Sequence, residues 1–178
     1  MITSLKNPLT DNYTNFKKIV TSKEFPVYAN TLGVGPDALG KEDTYYSHTF
    51  IQRPEEIGYT TSISGQTCLA VSVLDEILQF NEIKYHMIYR LNLNINHHHS
   101  DYWYAWHKDH QFPHSNILIY LNSFEEGKIE IQSDNGDIYF HHPKENDIIL
   151  FGGEKHRWGP TPVGQKRVSI VTTLLLKS

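Results

Sequence analysis

The sequence contains few of the residues that build disulfide frameworks, membrane spans or basic binding surfaces. Cys68 is the single cysteine among 178 residues, which excludes an intrachain disulfide. The longest mostly apolar stretch, Val168 to Leu176, is far shorter than the roughly 20 residues that a membrane-spanning helix needs. No basic run exceeds two residues and the formal net charge is −4, whereas nucleic-acid binders usually present a basic patch. We therefore expect neither a membrane nor a nucleic acid as a partner.

Length and the first residues indicate one intracellular domain. At roughly 100 to 200 residues per domain, the chain forms a single domain over 1–178. Its start, Met1 to Pro8, lacks the charged end and apolar stretch of a signal peptide, so we expect a cytoplasmic protein. The sequence favours no particular oligomeric state.

A helical part is predicted before residue 83. One helix is expected from Thr10 or Asp11 to about Lys23, and apolar residues spaced four apart predict another from Leu69 to Phe80. Phe25 to Leu32 and Tyr45 to Gln52 have the composition of strands. The glycine-rich stretch from Leu32 to Lys41 is a candidate mobile loop, and whether this N-terminal region forms a substrate lid is left open.

Short strands separated by turn signals follow from residue 83 onward. In the first of them, Met87, Tyr89, Leu91, Leu93 and Ile95 alternate onto one face. We predict a mainly β protein of the α+β class, in which residues 83–178 form a jelly-roll core and residues 1–82 support it, with helices packed on one sheet. The predicted strands are Tyr85–Ile95, Tyr102–His107, Ser115–Leu121, Lys128–Gln132, Ile138–His142, Ile148–Phe151 and Arg167–Leu176.

Histidine is abundant, with eleven residues in all and six of them between His97 and His114. His107 and Asp109 are two residues apart, so on a strand both side chains point to one face and can bind one ion. His156 is the candidate third ligand. Two histidines and one carboxylate leave three positions of an octahedral ion open, the arrangement of non-haem Fe(II) oxygenases.

The residues that follow this pair resemble the Fe(II)/2-oxoglutarate-dependent dioxygenases, most closely the prolyl 4-hydroxylase-like branch. The resemblance runs from about Tyr102 to Leu175 and keeps the family's order of motifs throughout. It departs from the family pattern in the eleven-residue step from His156 to Arg167 and in Lys128, which stands where a second glycine is common. The matching segments are His107-Lys108-Asp109, Tyr120-Leu121-Asn122, Glu126-Gly127, Pro143 to Phe151, His156, Pro162-Val163 and Gly164 to Ser169.

The resemblance implies a fold, a set of cofactors and a role for each site residue. The fold is a double-stranded β-helix, the cupin-like form of the jelly roll, in which His107, Asp109 and His156 bind Fe(II). The cosubstrates are 2-oxoglutarate and O2, with ascorbate as a candidate reductant. Arg167 then binds the distal carboxylate of 2-oxoglutarate, and the hydroxyls of Tyr120 and Ser169 assist it. Lys166 remains an alternative anchor for that carboxylate.

The implied activity is the hydroxylation of a substrate C–H bond, with release of succinate and CO2. The favoured substrate is a peptide or protein residue such as proline, and a small molecule fits the same residues. An AlkB-like nucleic-acid demethylase is disfavoured by the acidic net charge and by the lack of a second arginine after Arg167. A non-catalytic jelly-roll or cupin metal-binding module is the alternative of a different class. Cupins, however, favour an H-x-H pair with a separate glutamate.

The remaining histidines and tryptophans are predicted to have structural or peripheral roles. We expect His97 to His99 to form an inert loop. Trp106 or Trp158 is a candidate for a substrate-facing wall. Cys68 is predicted to be buried, and four further histidines are predicted to be exposed: His110, His114, His141 and His142.

Overall fold

A computed structural model describes residues 2–32, 43–98 and 103–177. Residues 33–41 of the candidate mobile loop, and His99, lie outside this description. The helices are α1 (Asp11–Val20), α2 (Pro54–Ile57) and α3 (Thr67–Phe80). The strands are β1 (Thr3–Leu5), β2 (Tyr28–Leu32), β3 (Asp43–Gln52), β4 (Thr61–Ser62), β5 (Tyr85–His97), β6 (Ser115–Tyr120), β7 (Ile129–Gln132), β8 (Ile138–His141), β9 (Ile148–Gly152), β10 (Lys155–Trp158) and β11 (Lys166–Leu176).

Helix α1 has a capping residue at its start and charged side chains that favour both of its ends. The Thr10 hydroxyl accepts a hydrogen bond from the backbone N–H of Tyr13 at 3.1 Å, as an N-cap does. Asp11 lies in the first turn, where the helix dipole favours negative charge, and Lys17 and Lys18 lie in the last. The helix ends at Val20, three residues before the predicted end.

The strands form two antiparallel sheets. The large sheet has eight strands in the order β1-β9-β6-β11-β5-β3-β2, with β4 paired to β3, and the small sheet has the order β10-β7-β8. Alternate residues of the large sheet pack one face against α1 and α3, while the other face packs against the small sheet. The predicted jelly roll with helices packed on one sheet is confirmed.

The pairing of β5 with its neighbours sets polar residues in rows across the inner face of the large sheet. Asn92 pairs with Thr49 of β3 and with Val171 of β11. Asn94 pairs with Ser47 and Ser169 in the same way. These residues therefore face the small sheet, although most are polar.

A register shift between β5 and β11 breaks the alternation predicted for β5. The shift lies between the Arg90 and Ile88 pairings, and a bulge of this kind changes which side chains share a face. Ile88 joins Leu91 and Leu93 in the core against the helices, whereas Met87 is 43% exposed. The predicted placement of Met87 with Leu91 is wrong.

The structure also corrects one strand prediction and adds a strand that the sequence did not predict. Tyr102–His107 is not a strand, because within its described part, residues 103–107, the extended pairing is limited to one bridge between His107 and His156. Strand β10 was not predicted. No helix among the described residues is long and apolar enough to span a membrane.

The predicted exposure of several side chains is corrected as well. His110 and His114, in the loop before β6, are both buried. Nε2 of His110 lies 2.6 Å from the Thr173 hydroxyl of β11, and the His114 ring packs edge-on against that of His110. His141 is half-buried, and His142 is exposed as predicted. Cys68 is exposed at the start of α3, because it lies outside the apolar face of that helix.

Candidate active site

His107 and His156 are brought together by backbone pairing between two segments that are distant in sequence. His107 lies in the loop before β6, and His156 lies on β10. The N–H of each residue donates to the carbonyl of the other, at 3.1 and 2.9 Å. Their imidazole rings lie 4.4 Å apart between centroids. Asp109, two residues after His107, completes the group.

The three side chains fit a single metal ion. One nitrogen or oxygen atom from each residue lies within 4.8 Å of the others, and Nε2 of His156 is 3.4 Å from Oδ2 of Asp109. Ligand atoms about 2.1 Å from an ion are about 3 Å apart when they are neighbours in its coordination shell. The predicted ligands His107, Asp109 and His156 are therefore close enough together that they could hold one metal ion.

Backbone carbonyls fix the orientation of both imidazoles. Nδ1 of His107 lies 3.0 Å from the carbonyl oxygen of Ala105, and Nδ1 of His156 lies 3.2 Å from that of Glu154. A carbonyl only accepts, so Nδ1 carries the proton in each ring and Nε2 presents its lone pair to the metal position. Burial lowers the pKa of His156 to about 4, although the charge of Asp109 acts in the opposite direction.

Two arginines hold the other oxygen of the Asp109 carboxylate. Nη1 of Arg90 lies 3.0 Å from Oδ1, and Nη2 of Arg53 lies 3.8 Å from the same atom. Burial alone would raise the pKa of Asp109, but His156 and Arg90 together hold it well below its usual range. Asp109 is therefore ionised, and it presents Oδ2 to the metal position.

The three candidate ligands lie at the edge of a cavity of about 350 Å³, a volume near the lower end for ligand pockets. Polar side chains of β3 and β5 form most of one wall, among them Ser47, Asn92 and Asn94. Trp158 also lines this cavity, and its role as a substrate-facing wall stays a prediction. Trp106 instead stacks on Arg157, 4.5 Å from its ring centroid to the guanidinium carbon.

A narrow recess of about 20 Å³ shares walls with this cavity and contains the residues predicted to bind 2-oxoglutarate. Arg167, Tyr120 and Ser169 line it together. Ser169 pairs with Tyr120 across β11 and β6, and Arg167 is the next inward residue on β11. Arg167 is buried, with its guanidinium 5.0 Å from the Trp158 ring centroid, whereas the side chain of Lys166 is exposed.

Sequence reasoning missed Arg90, Arg53 and the asparagines of β5 as site residues. Asn92, Asn94 and Asn96 alternate on β5, a pattern that ordinarily marks a solvated face. Here that face is inside the jelly roll, and all three side chains are buried. The sequence signal that could have identified them is the regular alternation of asparagines with the apolar residues of β5.

The fold and the site together define a jelly-roll protein with a two-histidine, one-carboxylate group inside the barrel. No protein-family model and no curated protein matches the sequence. Solved structures do match. A 2OG-Fe(II) oxygenase-family oxidoreductase from Burkholderia pseudomallei superimposes with a TM-score of 0.70 at 14% identity, over 92% of this chain and 78% of that one.

Two further structures share the fold. A prolyl hydroxylase from Trichoplax adhaerens, solved with a hypoxia inducible factor peptide fragment, has a TM-score of 0.64 at 12% identity and covers 98% of this chain and 83% of its own. A full-length protein from Neurospora crassa, solved in complex with alpha-KG, has a TM-score of 0.59 at 13% identity, covering 99% and 76%. The chain therefore has the fold of 2OG-Fe(II) oxygenases, including that of a prolyl hydroxylase.

Proposed function

We propose that this protein is an Fe(II)- and 2-oxoglutarate-dependent dioxygenase. The observation that carries the proposal is the position of the ligand group His107, Asp109 and His156. It lines a cavity that shares walls with the recess containing Arg167. A metal at the group and a dicarboxylate reaching from it toward Arg167 would occupy both spaces.

Each residue has a role that follows from its contacts. The two imidazoles would donate Nε2 lone pairs to the metal, and Asp109 would donate Oδ2 while Arg90 orients it. Arg167 would bind the far carboxylate of 2-oxoglutarate through its planar fork, with Tyr120 and Ser169 beside it. When bound, the metal and 2-oxoglutarate supply the oxidising chemistry, in which O2 is consumed, succinate and CO2 are released and a substrate C–H bond is hydroxylated.

The substrate class proposed with this activity is a peptide residue such as proline, or a small molecule. Support for a peptide comes from the T. adhaerens prolyl hydroxylase, whose structure contains a peptide fragment. The candidate metal ligands line the same cavity as β3 and β5, and this arrangement is compatible with a peptide or a small-molecule substrate.

Anaerobic titration of 2-oxoglutarate into the Fe(II)-loaded protein tests the proposal. We expect a visible metal-to-ligand charge-transfer band to appear with 2-oxoglutarate. Arg167→Ala should weaken the binding at least about 30-fold, because losing a buried charge partner costs about 2 kcal/mol or more. Lys166→Ala is the matched control, since it removes the adjacent, exposed cation, and it should leave the titration unchanged.

Three outcomes would contradict the proposal. Iron that binds without a band on addition of 2-oxoglutarate favours a cupin-like or binding role. Failure of iron to bind removes the metal assignment itself. Equal effects of Arg167→Ala and Lys166→Ala would remove Arg167 as the anchor.

A further inference from the structure

The cavity would keep an excess of positive charge even after the proposed metal and 2-oxoglutarate had bound. Arg53, Arg90 and Lys108 line it together with two acidic residues, Glu56 and Asp109. In the proposed complex, the metal and Arg167 carry as much positive charge as Asp109 and the two carboxylates of 2-oxoglutarate carry negative charge. Among the described residues that line the cavity, Arg53, Arg90 and Lys108 then have Glu56 alone as an acidic counter-charge.

Glu56 is a weak partner for this pair of arginines. Its carboxylate is 3.8 Å from Nε of Arg53, and its side chain is 55% exposed, so water screens the interaction. Arg53 and Arg90 approach the same oxygen of Asp109 and therefore lie near each other. Two positive charges this close repel each other. Asp109 relieves part of this repulsion through its Oδ1 atom, but both ion pairs of Arg53 are 3.8 Å long, which is too long for a hydrogen bond. A second carboxylate would give Arg53 a hydrogen-bonded partner of its own.

The asparagines on β5 provide a second, independent observation. The Oδ1 atoms of Asn92 and Asn94 are buried and have no hydrogen-bond partner within the described ranges. Both side chains line the cavity, beside Ser47 and Thr49 of β3. A buried amide oxygen without a partner is costly, and because it only accepts, a ligand that completes its hydrogen bond must donate an N–H or O–H.

We propose that the substrate carries a carboxylate group, which Arg53 and Arg90 bind, and a neighbouring N–H or O–H group, which donates to Oδ1 of Asn92 or Asn94. This inference rests on the proposed function and specifies its substrate class. The carboxylate belongs either to a free acid or to an acidic residue of a peptide. The guanidinium fork suits a carboxylate because it can donate two parallel hydrogen bonds.

Arg53 is the residue to test, because it lies 3.8 Å from Asp109, beyond hydrogen-bond distance, whereas Arg90 is hydrogen-bonded to Asp109 at 3.0 Å. Arg53 lies just before α2 and is partly exposed, so Arg53→Gln should fold. Lys108→Gln is the matched control, since it removes one positive charge from the same cavity at an exposed side chain. Arg53→Lys keeps the charge but not the guanidinium fork, so it should retain part of the preference for a carboxylate that Arg53→Gln loses.

The experiment measures binding to Zn(II)-loaded protein saturated with 2-oxoglutarate, which blocks the Arg167 recess. The probes are matched pairs of an acid and its primary amide, followed by ligand-observed NMR. One set pairs a free amino acid with its primary amide, such as proline with prolinamide. The other contains short proline peptides with either an aspartate or an asparagine. The set that shows the acid preference identifies the source of the carboxylate.

We expect wild type to prefer the acid of a pair by at least about 10-fold, as charge-assisted pairing predicts. Arg53→Gln should reduce the preference to about 2-fold or less, and Lys108→Gln should retain most of it. No acid preference in wild type, or equal losses in both variants, would overturn the inference. Failure of 2-oxoglutarate itself to bind would instead overturn the proposed function, so the two failures are distinguishable.

Discussion

Asp109 has two structural roles, and the second was not evident from the sequence. Its Oδ2 atom faces His156, while its Oδ1 atom is 3.0 Å from the buried guanidinium of Arg90. Arg90 is 8% exposed, so its charge has little contact with water. The carboxylate therefore neutralises a buried cation even before a metal binds.

We predict that Asp109→Ala abolishes metal binding and also lowers the free energy of unfolding by about 3–5 kcal/mol, because it leaves Arg90 buried without its counter-charge. The double variant Asp109→Ala/Arg90→Met should regain much of that stability without regaining the metal. Urea unfolding and Fe(II) binding measure the two effects separately. A single variant as stable as wild type would show that Arg90 does not depend on Asp109.

The candidate site residues that could be predicted from the sequence are those that belong to a motif with a recognisable spacing. His107 and Asp109 form a two-residue motif, and Arg167 follows His156 in an order that the resemblance recognises. Arg90 and Arg53 have no such motif. They reach Asp109 only because β5 and the start of α2 lie beside the candidate metal ligands in three dimensions.

Among the elements, the turn before β7 leads into the strand that pairs with β10, and β10 carries the candidate ligand His156. Glu126 and Gly127 both have positive φ angles, of 59° and 65°, and β7 pairs with β10 so that Ile131 lies opposite His156. A Cβ at Gly127 would lie 3.0 Å from the Phe124 ring and 3.3 Å from the carbonyl oxygen of Pro160. This glycine is therefore required by both conformation and space.

Gly127→Ala should lower the free energy of unfolding by about 1–2 kcal/mol from conformation alone, with an added cost from crowding. Gly136→Ala is the matched control, since Gly136 has a φ of 91° but nothing within 4 Å of the added Cβ. Thermal or urea unfolding of both variants gives the comparison. If Gly136→Ala is the more destabilising of the two, close packing at Gly127 is not important.

Elements were predictable where periodicity was regular and long. The apolar spacing of α3 and the composition of β6, β9 and β11 predicted those elements to within a few residues. Strand β10 could not be seen, because its four residues include three charged or titratable side chains, and its pairing with β7 determines its conformation. The bulge in β5 was equally invisible, since a bulge depends on the partner strand.

At the scale of the whole molecule, the candidate metal group joins parts of both sheets. His156 belongs to the small sheet, and Asp109 contacts Arg90 of the large sheet. Arg167, on the central strand β11 of the large sheet, lines the adjoining recess. A ligand spanning this space would therefore hold the two sheets together. The division of the chain into residues 1–82 as support and 83–178 as core stays a prediction.

Because unfolding separates these groups, we predict that bound ligands raise the melting temperature in two steps. A metal at about 100 times its Kd should stabilise the fold by about 2.7 kcal/mol, which corresponds to roughly 5–10 °C for a chain of this size. Adding 2-oxoglutarate should raise the melting temperature again.

Differential scanning fluorimetry of three variants separates the steps. Arg167→Ala should keep the metal step and lose most of the second, whereas Asp109→Ala should lose both. His142→Ala, which removes an exposed histidine outside the site, should keep both. If 2-oxoglutarate stabilised the metal-free protein as much as the metal-loaded protein, its binding would be independent of the metal. The shared walls of the cavity and the Arg167 recess would then not serve to place one ligand against both groups.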